Sequence, residues 1–240
     1  SKTIHELGGT SIASGFIGGT AGNTIKNVLK EWNIQDDFVI VSGETRTNTK
    51  VVDTKIGVTE LNEPGPAVTE EEVEQLIEKL EGYASADTLF VLAGSIPPGV
   101  DKGIYREITE RVHKKGAKVL LDADGELFSE SLTAVPDMIK PNRDELERYY
   151  KMDYRPGEKE LVEMGRKFVE KGISQITISL GQMGALFIGE NKIYKASAVP
   201  VKVHSTVGAG DAMVAAMAYG WDRKMNMEET AKLAMATSAG

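Results

Sequence analysis

Asp87-Thr-Leu-Phe-Val-Leu-Ala93 and Ala117-Lys-Val-Leu-Leu-Asp122 are near-continuous apolar runs of strand length. A strand that alternates apolar with polar residues has one wet face, whereas an unbroken run needs both faces covered, as in a parallel sheet between two helical layers. Working outward from these runs, helical patterns alternate with strand-like ones, which reads as an α/β chain with a mostly parallel sheet. Ile25, Val28, Leu29 and Trp32 fall at i, i+3, i+4 and i+7, and Val73, Leu76, Ile77 and Leu80 repeat the spacing. Both stretches predict amphipathic helices. Leu161, Val162, Gly165, Phe168 and Val169 form a third stripe, closed by Gly172 and followed by a strand at Gln175-Ile-Thr-Ile-Ser179. The two opening runs are expected at the centre of the sheet.

From Asp37 to Asn62 strand-like pieces at Phe38 to Val41, Thr45 to Val52 and Val58 to Leu61 follow one another with no helix between them. Polar and apolar positions alternate, which predicts a small β-layer inserted at about 37–62 of one α/β domain. Glu63-Pro-Gly-Pro66 ends it, and Thr69-Glu-Glu-Glu72 opens the next helix as a capping box whose acidic first turn suits the helix dipole.

Composition narrows the functional classes. The 240 residues suit one large domain or two small ones, at roughly 100 to 200 residues each. With 28 Lys+Arg against 36 Asp+Glu the net charge is −8, so nucleic acid and anionic membrane surfaces are repelled overall and an anionic ligand needs a local positive site. No cysteine is present, which removes disulfides, thiolate metal sites and a Cys nucleophile and fits a reducing cytoplasm. No apolar run approaches the roughly 20 residues that span a bilayer. His5, His113 and His204 lack metal-ligand spacing and are expected at the surface, while Met213, Met217, Met225, Met227 and Met235 are expected to fill core. The 25 glycines exceed the roughly 7% of average usage with no repeat to absorb them, so individual turns must account for them.

Two phosphate-binding patterns are excluded. A P-loop needs Gly-Lys, a dipeptide this chain does not contain, and Gly208-Ala-Gly210-Asp-Ala-Met213 puts Met where a dinucleotide fingerprint has its third Gly or Ala. The same segment has its own logic. Thr206-Val-Gly208-Ala-Gly210-Asp211 runs from a β-branched strand into the helical run Ala212 to Trp221, and two glycines let backbone N–H groups converge at a helix start, where they and the dipole favour an anion. Asp211 beside such a site is open to two readings: an N-cap, the commoner fate of Asp at a helix start, or a base that takes the proton of a hydroxyl attacking phosphorus.

Three further stretches each have an adequate structural reading. Lys140-Pro-Asn142-Arg-Asp-Glu145 follows a strand at Asp137 to Ile139 and forms a capping box with Asn142 as cap and Glu145 three residues on. Ser179-Leu-Gly181-Gln-Met-Gly184 fits a hairpin turn, and Gly94-Ser95-Ile-Pro-Pro-Gly99 lies beyond the C-terminal end of a buried strand, the ligand side of an open α/β sheet.

In this order, Gly-Ser-Ile-Pro-Pro-Gly, Lys-Pro-Asn-x-x-Glu, Ser-Leu-Gly-x-x-Gly and Thr-Val-Gly-Ala-Gly-Asp resemble the successive motifs of the ribokinase-like (PfkB) sugar kinases, over essentially the whole chain. Gly43-Glu-Thr-Arg46-Thr-Asn48 with Thr59-Glu-Leu-Asn62-Glu-Pro-Gly65 resembles the lid of the sugar-phosphate kinases of that family: 1-phosphofructokinases, 6-phosphofructokinases of the B type and tagatose-6-phosphate kinases. The resemblance implies a three-layer α/β/α fold with a small β-sheet lid, and transfer of the γ-phosphoryl of ATP to a ketohexose phosphate, with fructose 1-phosphate favoured over fructose 6-phosphate and tagatose 6-phosphate. It implies that Asp211 is the base and that the amides of Gly208, Ala209 and Gly210 form the anion hole. It further places Lys140, Asn142, Ser179, Gly181, Gly184 and Gly210 on the nucleotide side. Arg46 and Ser95 fall on the sugar phosphate, and Asn142 with Glu145 near Mg²⁺ through water. A homodimer through the lid strands is expected.

The family begins with a strand bearing Asn-Pro-x-x-Asp and then Gly-Gly-Lys-Gly-x-Asn, both part of the sugar site, and residue 1 falls just after that segment. The chain stops at Ala236-Thr-Ser-Ala-Gly240, where the family has a further segment closing the adenine pocket. The sequence is therefore expected to be part of a longer domain. The alternative from another class is a non-catalytic sugar- or nucleotide-binding protein of the same fold.

Overall fold

The computed structural model of the chain describes residues 1–53, 57–200 and 208–239. The N-terminal part holds α1 (Lys2–Glu6), β1 (Ile12–Ala13), β2 (Phe16–Ile17), α2 (Gly19–Glu31), β3 (Gln35–Asp36), β4 (Val39–Ile40), β5 (Asn48–Asp53) and β6 (Gly57–Asn62). The α/β units follow: α3 (Glu70–Tyr83), β7 (Leu89–Ala93), α4 (Ile104–His113), β8 (Lys118–Asp122), α5 (Gly125–Ser131), β9 (Met138–Ile139), α6 (Arg143–Tyr149), α7 (Glu158–Glu170), β10 (Gln175–Ser179), β11 (Ala185–Gly189), β12 (Ile193–Ala196), α8 (Ala209–Asp222) and α9 (Met227–Thr237).

The main sheet has the order β12-β11-β10-β9-β8-β7; β7 to β10 run parallel, and β11 and β12 join antiparallel. Its two faces carry separate cores. Val119 and Leu121 of β8 point into a cluster with Ile104, Ile108, Phe128, Leu161 and Phe168, while Leu120 between them points into a second with Phe187, Met213, Met217 and Met235. That two-residue alternation, apolar on both sides, is why β8 reads as an unbroken hydrophobic run. The result is a three-layer α/β/α arrangement.

Helix ends follow local chemistry. Thr69 and Glu72 form the capping box that starts α3, and Asn226 with Glu229 does the same for α9. At α7 the chain leaves through Gly172 at φ 102°, with Ile173 N–H bonding back to Phe168 O.

Two expectations change. Leu89–Ala93 is not central: among the described residues β7 is the sheet's edge, with Val91 38% exposed on a strand that otherwise reads as fully covered. A cleft runs along that edge. Nor do the pieces between Asp37 and Asn62 form one layer. β4 pairs in parallel with β2, while β5 and β6 form a separate antiparallel hairpin. The cause is connectivity, since β3 and β4 follow α2 on the return of a βαβ crossover that lays them in parallel beside β1 and β2. Met213, Met217 and Met235 are buried, whereas Met225 and Met227 are only half-buried. His113 is half-buried and engaged with Asp137; His204 lies outside the described residues. Among the described residues no helix is long and apolar enough to cross a membrane.

Candidate active site

The C-terminal ends of four parallel strands lie side by side. Gly94 N–H bonds to Asp122 O (3.3 Å), Lys140 N–H to Leu121 O (3.1 Å) and Ser179 N–H to Pro141 O (3.0 Å), so the residues just past β7, β8, β9 and β10 form one rank. A parallel sheet presents its loops and helix starts at this end, and ligands of open α/β sheets bind there.

α8 begins at this rank. Gly208 is its N-cap at φ 85°, a left-handed conformation disfavoured for residues with a β-carbon, and among the described residues a β-carbon there would meet nothing within 4 Å. The first intrahelical bond runs from Ala212 N–H to Gly208 O (2.8 Å), so the amides of Ala209, Gly210 and Asp211 have no acceptor within the helix. Asp211 is not the cap: it is the third helical residue, exposed, with no side-chain capping bond. Its capping role is thereby removed. Thr206 and Val207 of the same motif lie outside the described residues.

On one side of this helix start stands Lys140. Its side chain is 6% exposed and its Nζ lies 3.0 Å from Asp122 Oδ1. The same Nζ is 3.7 Å from the point a β-carbon on Gly210 would occupy, which puts the buried ammonium beside the first turn of α8. Burial raises the Asp122 carboxyl; Lys140 opposes this, while Asp211 and Asp124 add to it, and the balance lies above the ordinary carboxylate range. Glu145 is likewise raised, by burial first, then by Asp122 and Asp124 against the opposing Asn142 amide and Lys140.

Asn142 and Glu145 are closed on each other. Glu145 N–H bonds to Asn142 Oδ1 (2.8 Å), and Asn142 donates from its backbone N–H to Glu145 Oε2 (2.8 Å) and from Nδ2 to Oε1 (2.5 Å). Ser179 bridges to Asn142 in the adjacent strand position. Gly181 at φ 60° and Gly184 at φ 93° turn β10 into β11, with Leu180 N–H on Gly184 O (2.8 Å). Gly184 has a packing reason as well: a β-carbon there would lie 1.9 Å from Ala196 O.

On the other side a cleft of about 1000 Å³ has Asp211, Arg46, Ser95 and Tyr105 on its wall. Arg46 Nη2 donates to Ser95 Oγ at 2.5 Å. The loop carrying Arg46 is pinned to the start of α2. Glu44 accepts from Thr20 N–H (3.1 Å) and Ala21 N–H (2.5 Å), which hold its carboxyl below the usual range, and Thr45 exchanges bonds with Gly18. Thr47 N–H bonds to Glu63 Oε2 (2.9 Å), tying Gly-Glu-Thr-Arg to Glu-Pro-Gly. On the Ser95 side, the half-buried Tyr105 hydroxyl donates to Ala93 O (2.8 Å), and burial pushes it up to about 12.

Asp211, the α8 amides and Lys140 thus adjoin, with Arg46 and Ser95 on the wall of the same cleft as Asp211. Ser179, Gly181 and Gly184 stand further along the rank, in the turn after β10. Sequence reasoning missed Asp122, Glu44 and Tyr105. Asp122 is the last residue of an apolar run whose pattern signals a strand and not a site, and Glu44 has no signal of its own beyond the Gly-Glu-Thr-Arg motif.

A mostly parallel sheet with an anion-accepting helix start, an exposed carboxylate not used for capping and a buried lysine at its ligand end is the frame of a phosphoryl-transfer protein. The match to the family model described as pfkB family carbohydrate kinase covers residues 1–239, and the chain belongs to that family of phosphotransferases with an alcohol acceptor. Among its relatives, the 1-phosphofructokinase of Borreliella burgdorferi is 34% identical over 237 residues, 98% of this chain and 76% of that protein. The 1-phosphofructokinase of Bacillus subtilis is 34% identical over 230 residues, 95% of this chain and 74% of that protein. Of solved structures, phosphofructokinase-2 of Escherichia coli in complex with substrates and products superposes with a TM-score of 0.92 at 29% identity, covering 99% of this chain and 78% of that one.

Proposed function

We propose that this chain transfers the γ-phosphoryl group of ATP to fructose 1-phosphate, giving fructose 1,6-bisphosphate. The observation that carries the reading is Asp211: an exposed carboxylate with no capping bond, on the cleft wall and one residue from Gly210, beside which the buried Lys140 ammonium lies. The sugar phosphate's identity rests on the relatives named 1-phosphofructokinase and on the lid motif.

In this mechanism Asp211 accepts the proton of the attacking hydroxyl as its oxygen bonds to phosphorus. The amides of Gly208, Ala209 and Gly210 receive charge on the phosphoryl oxygens, and Lys140 contacts the nucleotide phosphates. Arg46 offers a planar fork to the sugar phosphate and Ser95 a hydroxyl beside it. Ser179, Gly181 and Gly184 border the nucleotide. Asn142 and Glu145 fit a role near Mg²⁺ through water. Both Glu145 oxygens already accept hydrogen bonds, which leaves outer lone pairs for a hydrated ion, and the carboxyl is raised by burial and by neighbouring Asp122 and Asp124, a surplus of negative charge that a divalent cation relieves. Bound there, Mg²⁺ supplies charge neutralisation to the phosphates.

β5 and β6 form the lid in this reading, and a homodimer forms through the hairpin face that carries Thr49, Val51, Thr59 and Leu61. Val51 and Leu61 there are 49% and 57% exposed.

A coupled assay for ADP with MgATP and a panel of ketose and aldose phosphates tests the reading. Release of ADP with fructose 1-phosphate ahead of fructose 6-phosphate and tagatose 6-phosphate supports it. Preference for fructose 6-phosphate would favour the reading suggested by the phosphofructokinase-2 likeness, and binding without ADP release would favour a non-catalytic binding protein.

A further inference from the structure

Lys140 is a buried cation among four carboxylates. Asp122 touches it at 3.0 Å. Glu145 feels its charge, and Asp124 and Asp211 act electrostatically on Asp122. A lysine side chain has a flexible four-carbon stem, so its own rotamers do not decide which carboxylate it meets. The main chain does fix Asp122. Its carbonyl accepts from Gly94 N–H, and the neighbouring Leu121 carbonyl accepts from Lys140 N–H, so the two residues emerge at the same level from adjacent strands. A buried ion pair contributes little net stability compared with apolar side chains of similar volume, so its presence at the ligand end of the sheet asks for another reason.

We propose that Asp122 is a positioning residue for phosphoryl transfer: its carboxylate holds the Lys140 ammonium beside the first turn of α8. One ammonium N–H is spent on Asp122, which leaves two for phosphate oxygens at the anion-accepting turn. The sheet thereby delivers a positive charge to the nucleotide. Asp122 itself touches neither substrate. The proposal rests on the kinase reading above, specifically on Lys140 and the α8 amides as phosphate contacts.

The test compares wild type with Asp122→Asn, Asp122→Glu, Lys140→Met and the double variant Asp122→Asn/Lys140→Met. MgATP affinity is measured by calorimetry, both KM values and kcat by coupled assay, and folding by thermal melt. Loss of a charge-assisted contact predicts that Asp122→Asn weakens MgATP binding by about 10-fold and lowers kcat, with the sugar-phosphate KM within about 2-fold of wild type. Asp122→Glu keeps the charge on a longer arm and falls between the two. Because Asp122 acts through Lys140, the double variant binds MgATP no worse than Lys140→Met.

Wild-type MgATP affinity in Asp122→Asn, or a double variant whose loss is the product of the single losses, would overturn the proposal. If Asp122→Asn does not fold, wild-type MgATP affinity in Asp122→Glu overturns it instead. A wild-type chain that neither binds MgATP nor turns over defeats the kinase reading and this proposal together. Turnover by wild type with unaffected Asp122 variants defeats this proposal alone.

Discussion

α6 and α8 both start at the C-terminal end of the main sheet, and they treat their first-turn carboxylates in opposite ways. At α6, Glu145 and Asn142 satisfy each other through three hydrogen bonds, so helix start and carboxylate form a closed unit. At α8 the cap is Gly208, with no side chain to offer, and Asp211 makes no capping bond. Both carboxylates occupy the third helical position, where a capping box puts its acid. Only one is used for that purpose. A glycine cap does not by itself free the acid, since Glu160 of α7 accepts from the Gly157 N–H at 2.8 Å; at α8 the third-position carboxylate makes no such bond and faces the cleft.

The strongest test of that contrast is Asp211→Asn. Removing a general base lowers kcat by at least ~10²-fold. Because Asp211 makes no capping bond, the melting temperature stays close to wild type. The coupled assay and a thermal melt read the two quantities, and near-normal turnover would sink the mechanism. Gly208→Ala is next. Among the described residues the new methyl group meets nothing within 4 Å, so the cost expected is that of the left-handed backbone, about 1–2 kcal/mol. A much larger loss in urea unfolding would mean that the α8 start is packed and not open. Asn142→Ala probes the closed helix start: losing the cap costs about 1 kcal/mol of stability. Were Asn142→Ala to leave the urea midpoint unchanged, the capping box would not be what holds α6 in place.

The fold was largely legible because its signals are local. The apolar run of β8, the capping box at Thr69–Glu72 and the glycine after α7 each depend on neighbours within a few residues. What was not legible depends on partners far along the chain. Nothing in Leu89–Ala93 says that β7 forms the edge of the described sheet, and nothing in Phe38 to Val41 says that β4 pairs with β2 and not with the hairpin that follows it. At the candidate site, Asp211 and Gly208–Gly210 could be read from helix-start chemistry. Asp122 could not, because its meaning comes from Lys140 on the neighbouring strand, eighteen positions away by residue number. Gly184 shows the converse: it was assigned to the nucleotide side by resemblance, yet contact with Ala196 O already requires a glycine there.

Asp137 extends the comparison to the opposite end of the sheet, where a carboxylate is closed by partners from two elements. Its Oδ2 accepts from Val119 N–H (2.9 Å) and lies 2.9 Å from His113 Nε2, and its Oδ1 pairs with Lys118 at 2.8 Å. Burial pushes this carboxyl up, but Lys118, the Val119 amide and His113 together outweigh it and hold the group below the ordinary carboxylate range. Folding therefore favours the ionised form. Its contribution to stability is fully present above the unfolded value of about 4 and is lost as pH falls through the depressed native value. Asp137→Asn should thus be less stable than wild type at about pH 7, and the gap between their urea midpoints should shrink progressively as pH falls below about 4 and through the depressed native value. A gap that stays constant across that range would mean that the pair is held by packing and not by charge. Asp137 would then not belong with Glu145 among the closed carboxylates against which Asp211 stands out.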